Sequence, residues 1–338
     1  MKIPNDLNRI AVVGAGGWGT ALAMILAQNF DEVMIWTRNS GLVEEINSNH
    51  TNIKYLPNAL INNNIIATSN PNDIANADII INAVPTQYIR YYYKDYNILL
   101  DNKIIINSAK GVENNSNKTI SGIFEEVYNI PKERFAVLTG PSHAEEVCIK
   151  VPTTVVVASF SEELTKLVQS IFMTNYFRVY SSDDVIGCEI GGSLKNVIAI
   201  AAGIIDGMGL GDNTKAALLT RGLAEIARLG EAMGAHHQTF SGLSGLGDLF
   251  VTCDSKHSRN RRFGERIGKG EKSENILSNS TLIAEGVYTS KSAYELSKKY
   301  NIEMPITEQV YKAIFENKDP KQAIQELMTR DSKNEWYN

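Results

Sequence analysis

Three cysteines are spread over 338 residues, at Cys148, Cys188 and Cys253, with no paired spacing. That scarcity excludes a disulfide framework and a cysteine-ligated zinc site, and it points to a reducing compartment. Histidine is also rare: of five residues, His236 and His237 are adjacent, point apart on a helix and form no His-x-x-x-His pair, so metal-dependent chemistry is not expected. Positive charge is not in excess, with 33 Lys+Arg against 38 Asp+Glu and a net charge of −5. This argues against a chain that coats nucleic acid or an anionic membrane, while leaving room for a local basic pocket. Long hydrophobic runs are missing too. The longest small-apolar stretch, Val197 to Ile205, falls well short of the ~20 residues of a membrane span. The first nine residues hold no apolar core of signal-peptide length. The expectation is a cytoplasmic protein without membrane insertion or nucleic-acid partner.

What is present fits a globular protein: 43% hydrophobic and 21% charged residues exclude disordered and fibrous classes. At ~150 residues per domain, the length suggests two domains. From Ile10 to about Tyr180, short β-branched runs alternate with helical ones, as in a parallel sheet wrapped by helices. Strands are expected at Arg9–Val13, Glu32–Trp36, Asp78–Val84, Lys103–Asn107, Phe135–Leu138, Thr153–Ala158 and Phe177–Tyr180. Beyond about Asp184, helical spacing takes over through Ile190–Met208, Lys215–Met233, Arg259–Gly268, Val287–Tyr300 and Thr307–Glu316, with Gly268–Ser280 reading as a surface loop. The fold class is therefore α/β, a Rossmann-like, doubly wound, mainly parallel sheet (residues 1–189) followed by a mainly α-helical C-terminal domain (residues 190–338).

Directly after the first strand comes Gly14-Ala-Gly16-Gly17-Trp18-Gly19, leading into an apolar helix. Between strand and helix this Gly-x-Gly-x-x-Gly pattern is a dinucleotide fingerprint: Gly14 for the tight turn, Gly16 for close approach of backbone to pyrophosphate, Gly19 for helix–strand packing. The second strand ends Trp36-Thr37-Arg38-Asn39 and lacks the carboxylate that would bond the ribose 2′-hydroxyl of NADH. Arg38 suits a 2′-phosphate, so NADPH should be accepted as well. An exposed arginine at a helix start is the plainer alternative.

Lys195 and Asn196 interrupt an otherwise apolar helix. A buried lysine needs a partner, and burial lowers its pKa toward proton-transfer usefulness; a lysine snorkelling to solvent is the alternative. If Asp248 begins a helix, Thr252 lies on the same face and both project into one cleft, although Asp after glycine is also a common N-cap. Lys256 to Arg266 holds five Lys/Arg and one Glu, a basic cluster suited to an anionic substrate and cofactor. A nucleic-acid patch is the rival reading there, unsupported by any accompanying binding motif.

These segments occur together with Ser108-Ala-Lys110-Gly-Val-Glu, Gly140-Pro-Ser142-His-Ala144, Asn213-Thr-Lys-Ala-Ala, Gly245-Leu-Gly-Asp248-Leu, Ser258-Arg259-Asn260-Arg-Arg-Phe-Gly, Glu285-Gly and Glu303-Met-Pro-Ile-Thr-Glu-Gln. Over nearly its whole length the chain resembles the bacterial type of NAD(P)-dependent glycerol-3-phosphate dehydrogenase. The resemblance implies reversible hydride transfer between NADPH or NADH and dihydroxyacetone phosphate, giving sn-glycerol 3-phosphate for glycerophospholipid synthesis, with a homodimer as the family expectation. It assigns Lys195 as the proton donor and acceptor, with Lys110 beside it near carbonyl and nicotinamide. Gly140, Ser142, Asn196, Asp248, Thr252, Ser258, Arg259 and Asn260 would line the substrate site. Gly14, Gly16, Gly17, Trp18, Gly19, Arg38, Lys110, Ala144, Arg259, Ile283 and Glu285 would contact the cofactor. A nucleotide-binding redox sensor would have no need of Lys195-Asn196 or Asp248 with Thr252. A dehydrogenase of 3-hydroxy acids or sugar nucleotides would not specifically need Ser258-Arg259-Asn260.

Overall fold

The computed structural model describes residues 9–279, 284–332 and 334–335. Its first part is one eight-stranded sheet in the order β3-β2-β1-β4-β5-β6-β7-β8. The strands are β1 Ile10–Val13, β2 Val33–Trp36, β3 Ile65–Thr68, β4 Ile79–Asn82, β5 Ile104–Asn107, β6 Phe135–Thr139, β7 Thr153–Ser159 and β8 Phe177–Ser182. All neighbours are parallel except β6 and β7. The isoleucine runs of β4 and β5 lie side by side, Ile79 to Ile81 against Ile104 to Ile106, because both sheet faces are covered. Val12, Ile35, Ile79 and Ile81 face the helix Gly17–Leu26 on one side. Ala11, Val13, Ile80 and Ile105 face Ile89, Tyr93 and Phe124 on the other.

The seven expected strands are present within a residue or two at each end, Asp78–Val84 shrinking to its central four residues. The strand at Ile65–Thr68 was not anticipated. It is short, sits at the sheet edge and exposes Ile66, so its sequence carries no long buried run. Another departure is the expected surface loop at Gly268–Ser280, where Ser273–Ser278 forms a short helix. Ile276 is buried and the Ser273 hydroxyl donates to Ile314 O at 2.6 Å, so a single apolar anchor among polar residues holds it.

Strand order reverses beside β1, and the loops after β1 and β4 open a crevice there, where doubly wound sheets bind ligands. The helical part is built around Val185–Met208, a 24-residue helix buried through most of its length. Its apolar character is long enough to cross a bilayer by length and composition alone, yet its most apolar window is wholly buried inside the protein. The helix is capped by Asp184, whose carboxylate accepts from Gly187 N–H, and it passes through positions 189 and 190 without interruption. The crossing of this helix with Arg259–Gly268 is glycine-lined. A Cβ on Gly203 would stand 1.9 Å from Arg261 O, and one on Gly264 would stand 1.9 Å from Ile200 O. Neither backbone can retreat without separating the helices. Gly264→Ala should therefore lower stability by about 3 kcal/mol, read as a shift in urea midpoint; an unchanged midpoint would contradict this packing.

Candidate functional site

At the nucleotide end, Gly14 adopts φ +110, and a Cβ there would meet Ala83 O at 2.9 Å. Gly19 packs so closely that a Cβ would lie 1.9 Å from Gly14 O. Gly16 is different: its Cβ direction is empty to 4 Å. It precedes a helix with no side-chain cap and no acidic residue in its first turn, leaving backbone N–H groups and the positive helix end directed at open space. Such a cradle fits a pyrophosphate. Trp18 Nε1 is buried there without a hydrogen-bond partner among the described residues, and Gly17 lies against Tyr55 O and Ala144. Beyond the end of β2, Arg38 is exposed and its Nη1 donates to Tyr96 Oη at 3.3 Å. Asn39, not a carboxylate for a ribose, follows it and caps the next short helix. Asp31 and Glu32 are exposed at the opposite, entry end of that strand.

The second half of the site lies where the sheet meets the central helix. Asp248 starts the helix Asp248–Asp254, directly after a glycine-rich π-turn, and is almost completely buried. Lys195 Nζ reaches its Oδ1, and Lys110 Nζ reaches its Oδ2 at 2.6 Å. Lys110 Nζ also donates to Gly140 O at 3.0 Å, and Ser142 Oγ donates to the same carbonyl at 2.9 Å. One turn on, Thr252 Oγ1 donates to Asp248 O at 2.6 Å and accepts from Lys195 Nζ at 2.7 Å. The i, i+4 reading of Asp248 and Thr252 thus holds, and Lys195 does not snorkel: it is 5% exposed. Burial pulls the Lys195 ammonium down to about 7; Asp248 opposes that shift and the neighbouring Lys110 adds to it.

Glu285, at the start of Glu285–Lys299, joins these groups to the basic segment. Burial raises its carboxyl to about 7 against the attraction of Arg259, Lys110 and Lys195, and the Thr86 backbone donates to it. Beside it, Asn260 Nδ2 donates to Asn196 Oδ1 at 2.9 Å while Asn260 Oδ1 accepts from Gly286 N–H at 2.9 Å. Arg259 is exposed and makes no ion pair among the described residues.

Some expectations need adjusting. Ser258 is buried and its hydroxyl caps Arg259–Gly268 by accepting from Arg261 N–H at 3.2 Å. The basic cluster does not face the site as a whole: Arg261 pairs with Asp206 at 2.5 Å and Arg266 with Glu271. Ile283 lies outside the described residues. Sequence reasoning also passed over Ser193, whose hydroxyl accepts from Gly111 N–H at 2.8 Å, and the buried hydroxyls of Thr86 and Thr139, which have no partner among the described residues. No spacing rule marks them, because each is brought in by a separate strand or helix.

The family model described as the N-terminus of NAD-dependent glycerol-3-phosphate dehydrogenase matches residues 9–165, and the one for its C-terminus matches residues 184–325. The chain belongs to the NAD(P)-dependent glycerol-3-phosphate dehydrogenase family. Glycerol-3-phosphate dehydrogenase [NAD(P)+] of Staphylococcus aureus strain USA300 / TCH1516 is 49% identical over 334 residues, covering 97% of this chain and 100% of that one. The crystal structure of glycerol-3-phosphate dehydrogenase from Coxiella burnetii is 37% identical with TM-score 0.89, covering 95% of this chain and 98% of that one. The Saccharomyces cerevisiae glycerol-3-phosphate dehydrogenase structure is 27% identical with TM-score 0.76, covering 94% and 98%. As a member of this dehydrogenase family the chain is an NAD(P)-dependent oxidoreductase. The small size of Gly16 should then matter more for nucleotide binding than for folding. Gly16→Ala, whose single methyl meets nothing within 4 Å, is expected to lower the thermal midpoint of the free protein only slightly, on the scale of an N-cap change, and to lose the stabilisation that added NADPH gives; a retained NADPH shift would show that the cradle is not the phosphate site.

Proposed function

We propose that this chain reduces dihydroxyacetone phosphate to sn-glycerol 3-phosphate and catalyses the reverse oxidation, with Lys195 as the proton carrier. The observation that carries this reading is the pair of ammonium groups, Lys110 and Lys195, gathered on the two oxygens of one buried carboxylate. Reduction of a ketone builds negative charge on its oxygen, so positive charge and a transferable proton are needed at one point. Bound NAD(P)H supplies the hydride, and Gly14 to Gly19, Arg38, Ala144 and Glu285 are the residues suited to hold it. Lys195 Nζ gives its proton to the substrate oxygen and, as a neutral amine, keeps its contacts with Asp248 and Thr252. In the oxidative direction the neutral Lys195 amine takes the hydroxyl proton. Lys110 contributes fixed positive charge, and Asp248 keeps the two cations together despite their repulsion. Arg259 and Asn260, with the N-terminal N–H groups of their helix, suit the substrate phosphate.

The Asn196–Asn260–Gly286 chain of hydrogen bonds supports this placement by tying the phosphate side to the helix that carries Lys195. Ser258 contributes by capping the helix. Gly140 and Ser142 complete the Lys110 side. A division of the chain at the start of the central helix, near residues 184–190, fits these contacts and places the site across both parts. The product suits glycerophospholipid synthesis in the cytoplasm, and the homodimer expected for the family is part of the same reading.

Oxidation of NADPH or NADH, followed at 340 nm, should require dihydroxyacetone phosphate. Because reduction needs the Lys195 ammonium, its kcat should fall as pH rises through about 7, while the oxidative kcat should rise over the same range. Lys195→Met should abolish both limbs with nucleotide affinity retained. No turnover with either nucleotide by folded protein would overturn the enzyme reading. A Lys195→Met protein that keeps both limbs would remove Lys195 from the chemistry.

A further inference from the structure

Arg38 stands between two fixed backbone positions. Thr37 N–H donates to Thr68 O at 2.9 Å, and the Asn39 side chain accepts from Gly41 and Leu42 N–H at 3.1 and 3.3 Å. The arginine side chain itself is exposed, and such a chain is rich in rotamer freedom that a ligand would have to remove. A 3.3 Å hydrogen bond from Nη1 to Tyr96 Oη limits that freedom. Tyr96 comes from elsewhere in the sheet crossover, as the residue that ends the helix Thr86–Asp95. Its ring is wedged 5.1 Å from Trp36 and 4.9 Å from Tyr92, while Tyr92 meets Trp36 edge-on at 5.7 Å. Trp36 is 1% exposed and belongs to β2, two residues before Arg38. The phenol is therefore fixed to the same strand end whose arginine it holds. A guanidinium has five N–H donors in a rigid fork, and the tyrosine engages one of them on Nη1, leaving the Nε and Nη2 edge for a bidentate anion.

We propose that Tyr96 is a positioning residue for nucleotide selection: its hydroxyl holds the Arg38 guanidinium at the end of β2 ready for a 2′-phosphate, so that acceptance of NADPH depends on the Arg38–Tyr96 pair. The inference rests on the reading of Arg38 as the 2′-phosphate contact. It does not involve the chemistry at Lys195, so kcat is independent of it. NADH carries a neutral 2′-hydroxyl and gains little from an ordered guanidinium.

The test is steady-state kinetics with saturating dihydroxyacetone phosphate on the full chain, its Tyr96→Phe and Arg38→Ala variants, and the double variant, each with NADPH and with NADH. Tyr96→Phe keeps the ring wedge and removes only the hydroxyl. It should raise KM for NADPH about threefold, the scale of one neutral hydrogen bond, with kcat and KM for NADH unchanged and no further rise in the Arg38→Ala background. A loss of packing alone would move both nucleotides together, and that result would overturn the proposal. So would an unchanged or lowered KM for NADPH, or the same threefold effect without Arg38. If Arg38→Ala leaves the NADPH-to-NADH ratio of KM values unmoved, the cofactor role of Arg38 itself is wrong. If that ratio moves and Tyr96→Phe does nothing, only the tether is wrong.

Discussion

Two lysines share one buried carboxylate, and most of the site's geometry follows from that constraint. Lys110 arrives from the loop after β5, Lys195 from the central helix and Asp248 from a short helix that follows a glycine-rich turn. A charged group removed from water requires compensation, and removing one member of such a cluster leaves the others unmatched. The cluster is therefore held from several directions: Gly140 O accepts from Lys110, and Thr252 spans Lys195 and the Asp248 backbone. The same bonds join the sheet to the helical part, and they gather two positive charges at the point proposed for ketone reduction.

Glycine serves this assembly in two ways. At Gly14 and Gly19, and where Gly203 and Gly264 meet, a side chain would collide with backbone, so these positions belong to the fold. At Gly16, the N-cap of the first helix, a Cβ would meet nothing within 4 Å, so no close packing inside the chain demands its smallness. It lies beside a helix end with no side-chain cap, a place suited to an anion arriving from outside.

Much of this was legible in the sequence because the signals are local. The fingerprint glycines sit between strand and helix, the isoleucine runs mark doubly covered strands, and Asp248 with Thr252 fall one helical turn apart. The portions that escaped depend on distant partners. The edge strand Ile65–Thr68 is defined by its pairing with β2, and the helix at Ser273–Ser278 by one buried isoleucine and a bond to Ile314 O. The basic cluster looked like a single anion site, but Asp206 and Glu271 claim Arg261 and Arg266. Glu285 was identifiable by resemblance, whereas its partly buried place near Arg259, Lys110 and Lys195 required the packed structure.

The most direct measurement is the titration of the Lys195 ε-amine itself, followed by NMR in protein carrying isotope-labelled lysine and assigned through Lys195→Met. One lysine should titrate near 7 and vanish from the spectrum in that variant. A Lys195 signal that titrates near the ordinary 10.5 would contradict it.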